Sequence, residues 1–250
     1  MNIRDIKSKI NVLFNVNKLT NTMSMISFSK MNKFSKKCLI LSNLYLETKK
    51  IILEIYDFKK NNLFCCILIT TNKGYCGNMN IESIRYLLKF IKDNNNNNLD
   101  IIVIGKKAID FFNKKNIYIK KKIIFNEKDE IFFPSEILNF LKLYKNVFFI
   151  SSKLINNSPK TIKTDLFIKK KKIFFEKKIN KENLIDNYIN YTLNYLYNEN
   201  YFCELKLRTI TMKSASDNSL KIIKSMNILK NKIRQYKVTQ EMLEIINGVL

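Results

Sequence analysis

The chain has 250 residues and a mass of 29.7 kDa, which allows one large domain or two small ones. Hydrophobic residues make up 46 % of it, which excludes a disordered chain, and 45 Lys+Arg against 21 Asp+Glu give a formal charge of +24. It contains no His, which excludes a His-based catalytic triad and a His metal ligand.

Residues 3 to about 57 contain neither Pro nor Gly, which predicts one long helix. Apolar residues recur at Ile3, Ile6, Ile10 and Leu13, then at Leu19, Met23, Ile26, Phe34, Leu41, Leu44, Ile51 and Ile55. The steps are mostly three and four, the alternation of a coiled coil, interrupted at Asn17, Lys30 and Thr48. From 63 to 178 the pattern changes. LFCCILIT (63–70), DIIVIG (100–105) and NVFFIS (146–151) are apolar runs of the kind found in strands buried on both faces. Helix-period segments at 80–92, 106–115 and 134–144 alternate with them, which predicts a parallel sheet with helical crossovers. The Asn run 94–98 reads as a loop, and the Lys-rich segments 164–170 and 172–178 as a β-ribbon. From about 181 to 248 the chain again lacks Pro, with Asn180 or Asn183 as a candidate helix cap. Its last part repeats at Ile222, Met226, Leu229, Ile233, Tyr236, Leu243, Ile246 and Leu250, a spacing that imposes a left-handed supercoil. The division is therefore 1–57, a helix; 58–180, an α/β domain; and 181–250, a second helix that pairs antiparallel with the first.

These elements carry several candidate chemistries. The turn ITTNKGYCGNMN (69–80) follows a buried strand and precedes a helix, where a phosphate loop would sit. It carries only Gly74 and Gly77 and completes neither nucleotide-binding fingerprint, and IGKK (104–107) is a similar turn. Cys76 lacks a His to activate it, so an enzyme reading has little support. The five cysteines show no paired spacing and read as buried free thiols of a reducing compartment. The opening MNIRDIKSKI lacks the apolar core of a signal peptide, and no stretch approaches a membrane span. Lys clusters at 120–122, 169–172 and 177–178, with Phe167, Phe174 and Phe175 between, loosely suit a nucleic-acid backbone. No nucleic-acid-binding motif accompanies them, and 41 Lys against four Arg, with 35 Asn and 38 Ile, is what drift in an AT-rich genome yields. Arg208 and Arg234 stand out because Arg is rare here, and a guanidinium suits bidentate pairing with a carboxylate.

The two ends carry a specific resemblance. VTQEMLEIING (238–248), with Val238, Thr239, Glu241, Glu244 and Gly248, resembles the C-terminal signature of the gamma subunits of F-type ATP synthases. MKSASDNSLKIIKSMNILKNKIRQ (212–235) is similar to the family's M-K-x-A-x-D-N run followed by N-K-x-R-Q. RDIKSKI (4–10), KLT (18–20), Met23 with Met25, and SKM (29–31) resemble its opening helix. The turn at 69–80 resembles its middle motif, with Asn72, Lys73 and Asn78 at positions where the family has an acid, an Arg and a Gly. The chain is short for the family, and the shortfall lies in the middle domain.

The resemblance implies an α/β protein: a long antiparallel left-handed coiled coil of N- and C-terminal helices with an inserted Rossmann-like domain. It implies a non-catalytic rotor shaft without a cofactor, which couples proton-driven rotation of the c-subunit ring to ATP synthesis on the beta subunits. The expected partners are the alpha and beta subunits around the coiled coil and the epsilon subunit and c ring at the foot, with no nucleic acid. The expected location is the cytoplasmic face of a bacterial inner membrane. By the same resemblance Arg208, Arg234, Gln235, Thr239, Glu241 and Met23 face the beta subunits, with Lys30 near Met23. Phe175 and Glu176 match a foot loop near the c ring, with Lys177 where the family has Pro.

Overall fold

The structure is a computed structural model and describes residues 3–55, 64–94, 99–125, 133–144, 146–156, 158–166 and 181–248. Ten elements follow in order: α1 (Ile3–Ile55), β1 (Phe64–Ile69), α2 (Met79–Asn94), β2 (Leu99–Ile104), α3 (Lys106–Lys114), β3 (Lys121–Ile123), α4 (Ser135–Lys142), β4 (Asn146–Ile155), β5 (Ser158–Asp165) and α5 (Lys181–Gly248). They divide into two compact units. Met1–Phe28 with Arg208–Leu250 form unit 1, and Ser29–Leu207 form unit 2.

Unit 2 is built on a five-stranded sheet in the order β3-β2-β1-β4-β5. The first three pairings are parallel and β4–β5 is antiparallel. The apolar run of β1 makes it the central strand, because only a strand covered on both faces can bury every side chain. Its residues alternate between two cores with the period of the pleat. Cys65, Ile67 and Ile69 join Val147 and Phe149 on one face, against Tyr45 and Ile52 of α1, Leu141 of α4, and Tyr188 and Leu193 of α5. Cys66 and Leu68 join Val103 and Phe148 on the other, against Leu87 of α2 and Phe112 of α3. Within this unit α1 and α5 run antiparallel: Phe34 meets Tyr201 at 4.8 Å and Tyr45 stacks on Tyr195 at 4.8 Å.

The three apolar runs and the three intervening helices lie where the sequence places them. Two strands do not. β3, Lys121–Ile123, is a short edge strand inside a stretch read only as a Lys cluster. The predicted ribbon is also displaced: β5 ends at Asp165 and pairs back onto β4, with Asn156 in the turn at a φ of 50°. β5 takes the edge of β4 opposite β1, so Phe148, Phe149 and Ile150 are paired on both sides. The rest of the predicted ribbon lies outside the described residues, as do most of the Asn run and Asn180. Asn183 falls inside the first turn of α5 rather than at its cap.

Unit 1 contains the first half of α1 and the last part of α5. Asn17 meets Ser216 and Ser219, and Ser24 meets Thr209, so numbers rising on one helix meet numbers falling on the other. The pairing is antiparallel; of the apolar seam the sequence suggests, Ile6, Ile10, Leu13, Met226 and Ile233 face inward and most of the rest of the part in unit 1 does not. The inward positions of α1 are Ile6, Ile10, Leu13, Asn17, Thr20, Ser24 and Ser27, a strict alternation of four and three. Leu19, Met23 and Ile26 are exposed at 64, 40 and 52 %. On α5 the inward positions include Met212, Ser216, Ser219, Ile223, Met226, Lys230 and Ile233, whereas Ile222 and Leu229 face outward. The true heptad passes through polar residues, so a search for apolar ones slides onto a neighbouring face.

Candidate partner-binding surface

Unit 1 therefore presents a mixed distribution. Its buried side chains include Ser24, Ser27, Ser216 and Ser219, while Val12, Phe14, Leu19, Met25 and Phe28 of α1 and Ile210 and Ile228 of α5 are exposed. Covering one such side chain stabilises by about 1.5–3 kcal/mol, and an apolar surface of this extent marks an interaction site. Beside the seam runs an open groove of about 670 Å³, floored by Met25, Phe28 and Ile210 and edged by Lys213 and Asp217, which are 3.6 Å apart.

From Arg234 to Gly248 every residue of α5 is exposed. This tip carries Tyr236, Met242, Leu243, Ile245 and Ile246 at 54–71 % exposure. The candidate residues Arg234, Gln235, Thr239 and Glu241 all lie here and are free of the seam. Thr239 donates to the backbone carbonyl of Gln235 at 2.9 Å, a bond within the helix, and Gln235 is itself exposed. Met23 is 40 % exposed, on the outer face of α1. Arg208 differs. It is 7 % exposed and engaged within the chain, unlike the exposed Arg234. Phe175 and Glu176 lie outside the described residues. The apolar shell is not marked by charged contacts; its signal in the sequence is the polar run of inward positions 17, 20, 24 and 27.

In the turn at 104–107 the amides a phosphate would need are taken by the chain itself. At the start of α3 the amide of Lys106 donates to Asn72 Oδ1 at 3.1 Å, that of Lys107 to the carbonyl of Thr71 at 3.1 Å, and that of Ala108 to Thr70 Oγ1 at 3.3 Å. These are the amides an anion would need. Gly105 permits the approach: its φ is 105°, and a Cβ there would lie 2.2 Å from the Thr70 carbonyl oxygen. Cys76 is 2 % exposed and accepts from Asn80 Nδ2 at 3.3 Å, a packed turn residue rather than a presented nucleophile. Burial pushes the thiols of Cys65 and Cys203 up to about 12 and that of half-buried Cys38 up to about 11. Among the described residues no cluster of His, Cys, Asp or Glu could hold a metal, and no helix is long and apolar enough to cross a membrane.

Comparison with known proteins agrees with this geometry. The family profile for ATP synthase matches residues 2–250. The ATP synthase gamma chain of Buchnera aphidicola subsp. Melaphis rhois is 31 % identical, over 98 % of this chain and 96 % of that relative. The chain belongs to the ATP synthase gamma-chain family. The gamma chain of Fusobacterium nucleatum is 28 % identical over 98 % of each chain. Among solved structures, the rotor of the Euglena gracilis mitochondrial ATP synthase has a TM-score of 0.75 at 17 % identity, covering 94 % of this chain and 98 % of that one, a likeness of fold. A gamma chain is a non-catalytic stalk subunit of the rotary ATP synthase, and family membership gives this chain that role.

Proposed function

We propose that this chain is the central shaft of an F-type, proton-translocating ATP synthase, turned by the c ring and enclosed by the alpha and beta subunits that make ATP. Residues 1–57 and 181–250 form the shaft, and 58–180 form the foot that meets the epsilon subunit and c ring, at the cytoplasmic face of a bacterial inner membrane. The observation that carries the reading is the distribution in unit 1: serines share the seam with Ile6 and Met212 while many large apolar side chains stand outward. A helix pair of that kind loses little by facing a bore lined with apolar residues and much by standing in water.

In this reading the apolar shell and tip provide a surface without directional bonds, which can turn against similar subunits in succession. Arg234, Gln235, Thr239, Glu241 and Met23 supply the few grips, and exposed charge pairs of this kind are worth about 0–1 kcal/mol each. Contacts that weak can be made and broken in every turn. Arg208, buried, acts by holding α5 in shape rather than by offering a free guanidinium. Rotation then selects among conformations of the surrounding subunits as rigid bodies.

The test is co-assembly with the alpha and beta subunits of the same source, with ATP hydrolysis assayed with and without this chain. One copy per alpha–beta ring, with raised turnover, is the expected result. Failure to co-elute with partners that are themselves competent overturns the reading.

A further inference from the structure

We propose that Asn17, with Ser216 and Ser219 opposite it, forms a polar lock that fixes the setting of α1 against α5 in unit 1. The Asn17 amide nitrogen lies 2.8 Å from the Ser216 carbonyl oxygen, 2.9 Å from Ser216 Oγ and 2.9 Å from Ser219 Oγ. Its hydrogens are shared among those acceptors. Ser219 Oγ in turn donates to the Ser216 carbonyl at 2.7 Å, which ties the two serines into one receiving group. One heptad further along α1, Ser24 donates to the Thr209 carbonyl at 3.1 Å and repeats the theme.

The surroundings make this cluster decisive. From Asn17 to Ser27 the inward positions of α1 are Asn17, Thr20, Ser24 and Ser27, so α1 offers no large apolar knob there and Met212 of α5 is the buried apolar side chain at that level. Apolar contact is non-directional and tolerates sliding, whereas a hydrogen bond demands a distance and an angle. Displacing the helices by one heptad would set Asn17 against Thr209 and Met212 in one direction, or Ile223 and Met226 in the other. Neither alternative offers the pair of hydroxyls, and the amide would be covered without them. A lone Asn at a seam position is a known means of choosing one register at a cost in stability. For a part that transmits twist through two helices, the lock keeps one helix from creeping along the other under load.

The experiment uses the full-length chain with nitroxide labels at Lys18→Cys and Lys221→Cys, both exposed positions, in a Cys38→Ser background; the other four thiols are buried. Distances are read by pulsed electron resonance and stability by thermal unfolding. The unlocked chain, Asn17→Leu, is expected to give a broadened or double distance distribution, with a heptad slip displacing the helices by about 10 Å along the axis. Its unfolding midpoint is expected to stay level or rise. The Ser216→Ala/Ser219→Ala double variant puts good helix formers on α5 and is expected to broaden the distribution in the same way, which decides the matter if Asn17→Leu does not fold. A distribution as narrow as the parent's in a folded variant overturns the proposal. So does broadening accompanied by a lowered midpoint in both variants, since that describes an ordinary stabilising contact.

Discussion

In unit 2, Cys65, Ile67, Phe149 and Leu193 are buried at 0–1 % exposure; in unit 1 the buried set includes Ser24, Ser27, Ser216 and Ser219 at 3–7 %. The same two helices contribute to both sets. Their apolar residues face inward where the sheet offers a core, whereas in unit 1 they divide between the seam, with Ile6 and Met212 buried, and the outer faces. An apolar face thus reports where a partner lies, and in unit 1 the outer apolar faces have no partner in the other helix of the pair.

The largest expected effect tests the conventional half of this contrast. Phe149→Ala empties the centre of one core and should cost about 3–5 kcal/mol of unfolding free energy, whereas Leu19→Ala on the outer face of unit 1 should change the free chain by less than about 0.5 kcal/mol. Denaturant unfolding of both variants measures this, and equal losses would erase the distinction. Next in size is Gly105→Ala, which forces a Cβ against the Thr70 carbonyl at a φ that L-residues avoid. Strain of this kind costs about 1–3 kcal/mol, and parting α3 from Thr70 to relieve it would lower the thermal midpoint further.

Smaller effects on stability, with larger ones on coupling, belong to the tip. Ending the chain after Gln235, or replacing Arg234 with Ala, should shift stability by less than about 0.5 kcal/mol because residues 234–248 are exposed among the described residues. ATP-driven rotation or coupled synthesis by the assembled complex should fall in both, more for the truncation. Full coupling in the truncated complex would show that the tip adds little. The subtlest prediction concerns protons. Burial raises the folded thiols of Cys65 and Cys203 from the usual 9.0 to about 12, so the folded state keeps protons that the unfolded chain gives up. Their contribution is full below about pH 9 and is lost as pH rises towards 12. Unfolding free energy should fall through that window, and thiol reagent at pH 8 should spare both sites until the chain is denatured.

Reading the sequence located β1, β2 and β4 because strands covered on both faces must be apolar throughout. It missed β3 and β5, which are edge strands. Lys121 and Lys122 suit a half-solvated edge, and Pro159 is tolerated where the partner lies on one side only. It placed the long helices but misjudged their seam, because Asn17, Thr20, Ser24 and Ser27 hold the inward positions that Leu19, Met23 and Ile26 seemed to claim. The tip residues Arg234, Gln235, Thr239 and Glu241 were legible through motif resemblance, and their exposure follows from the exhaustion of the inward pattern at Ile233. The burial of Arg208 was not legible, since an isolated Arg on a helix carries no mark of which way it turns.

The separation between Asn17 and Ser216, 199 residues along the chain, also has a consequence for synthesis. At about 5–20 residues per second, a ribosome needs about 10–40 s to deliver the second after the first. Within that interval the sheet strands of unit 2 are made and can meet one another, while the opening segment of α1 has been translated with nothing to receive its amide. The earliest residues made are among the last to be matched, so a prematurely terminated chain lacks this seam and is distinguishable from a finished one.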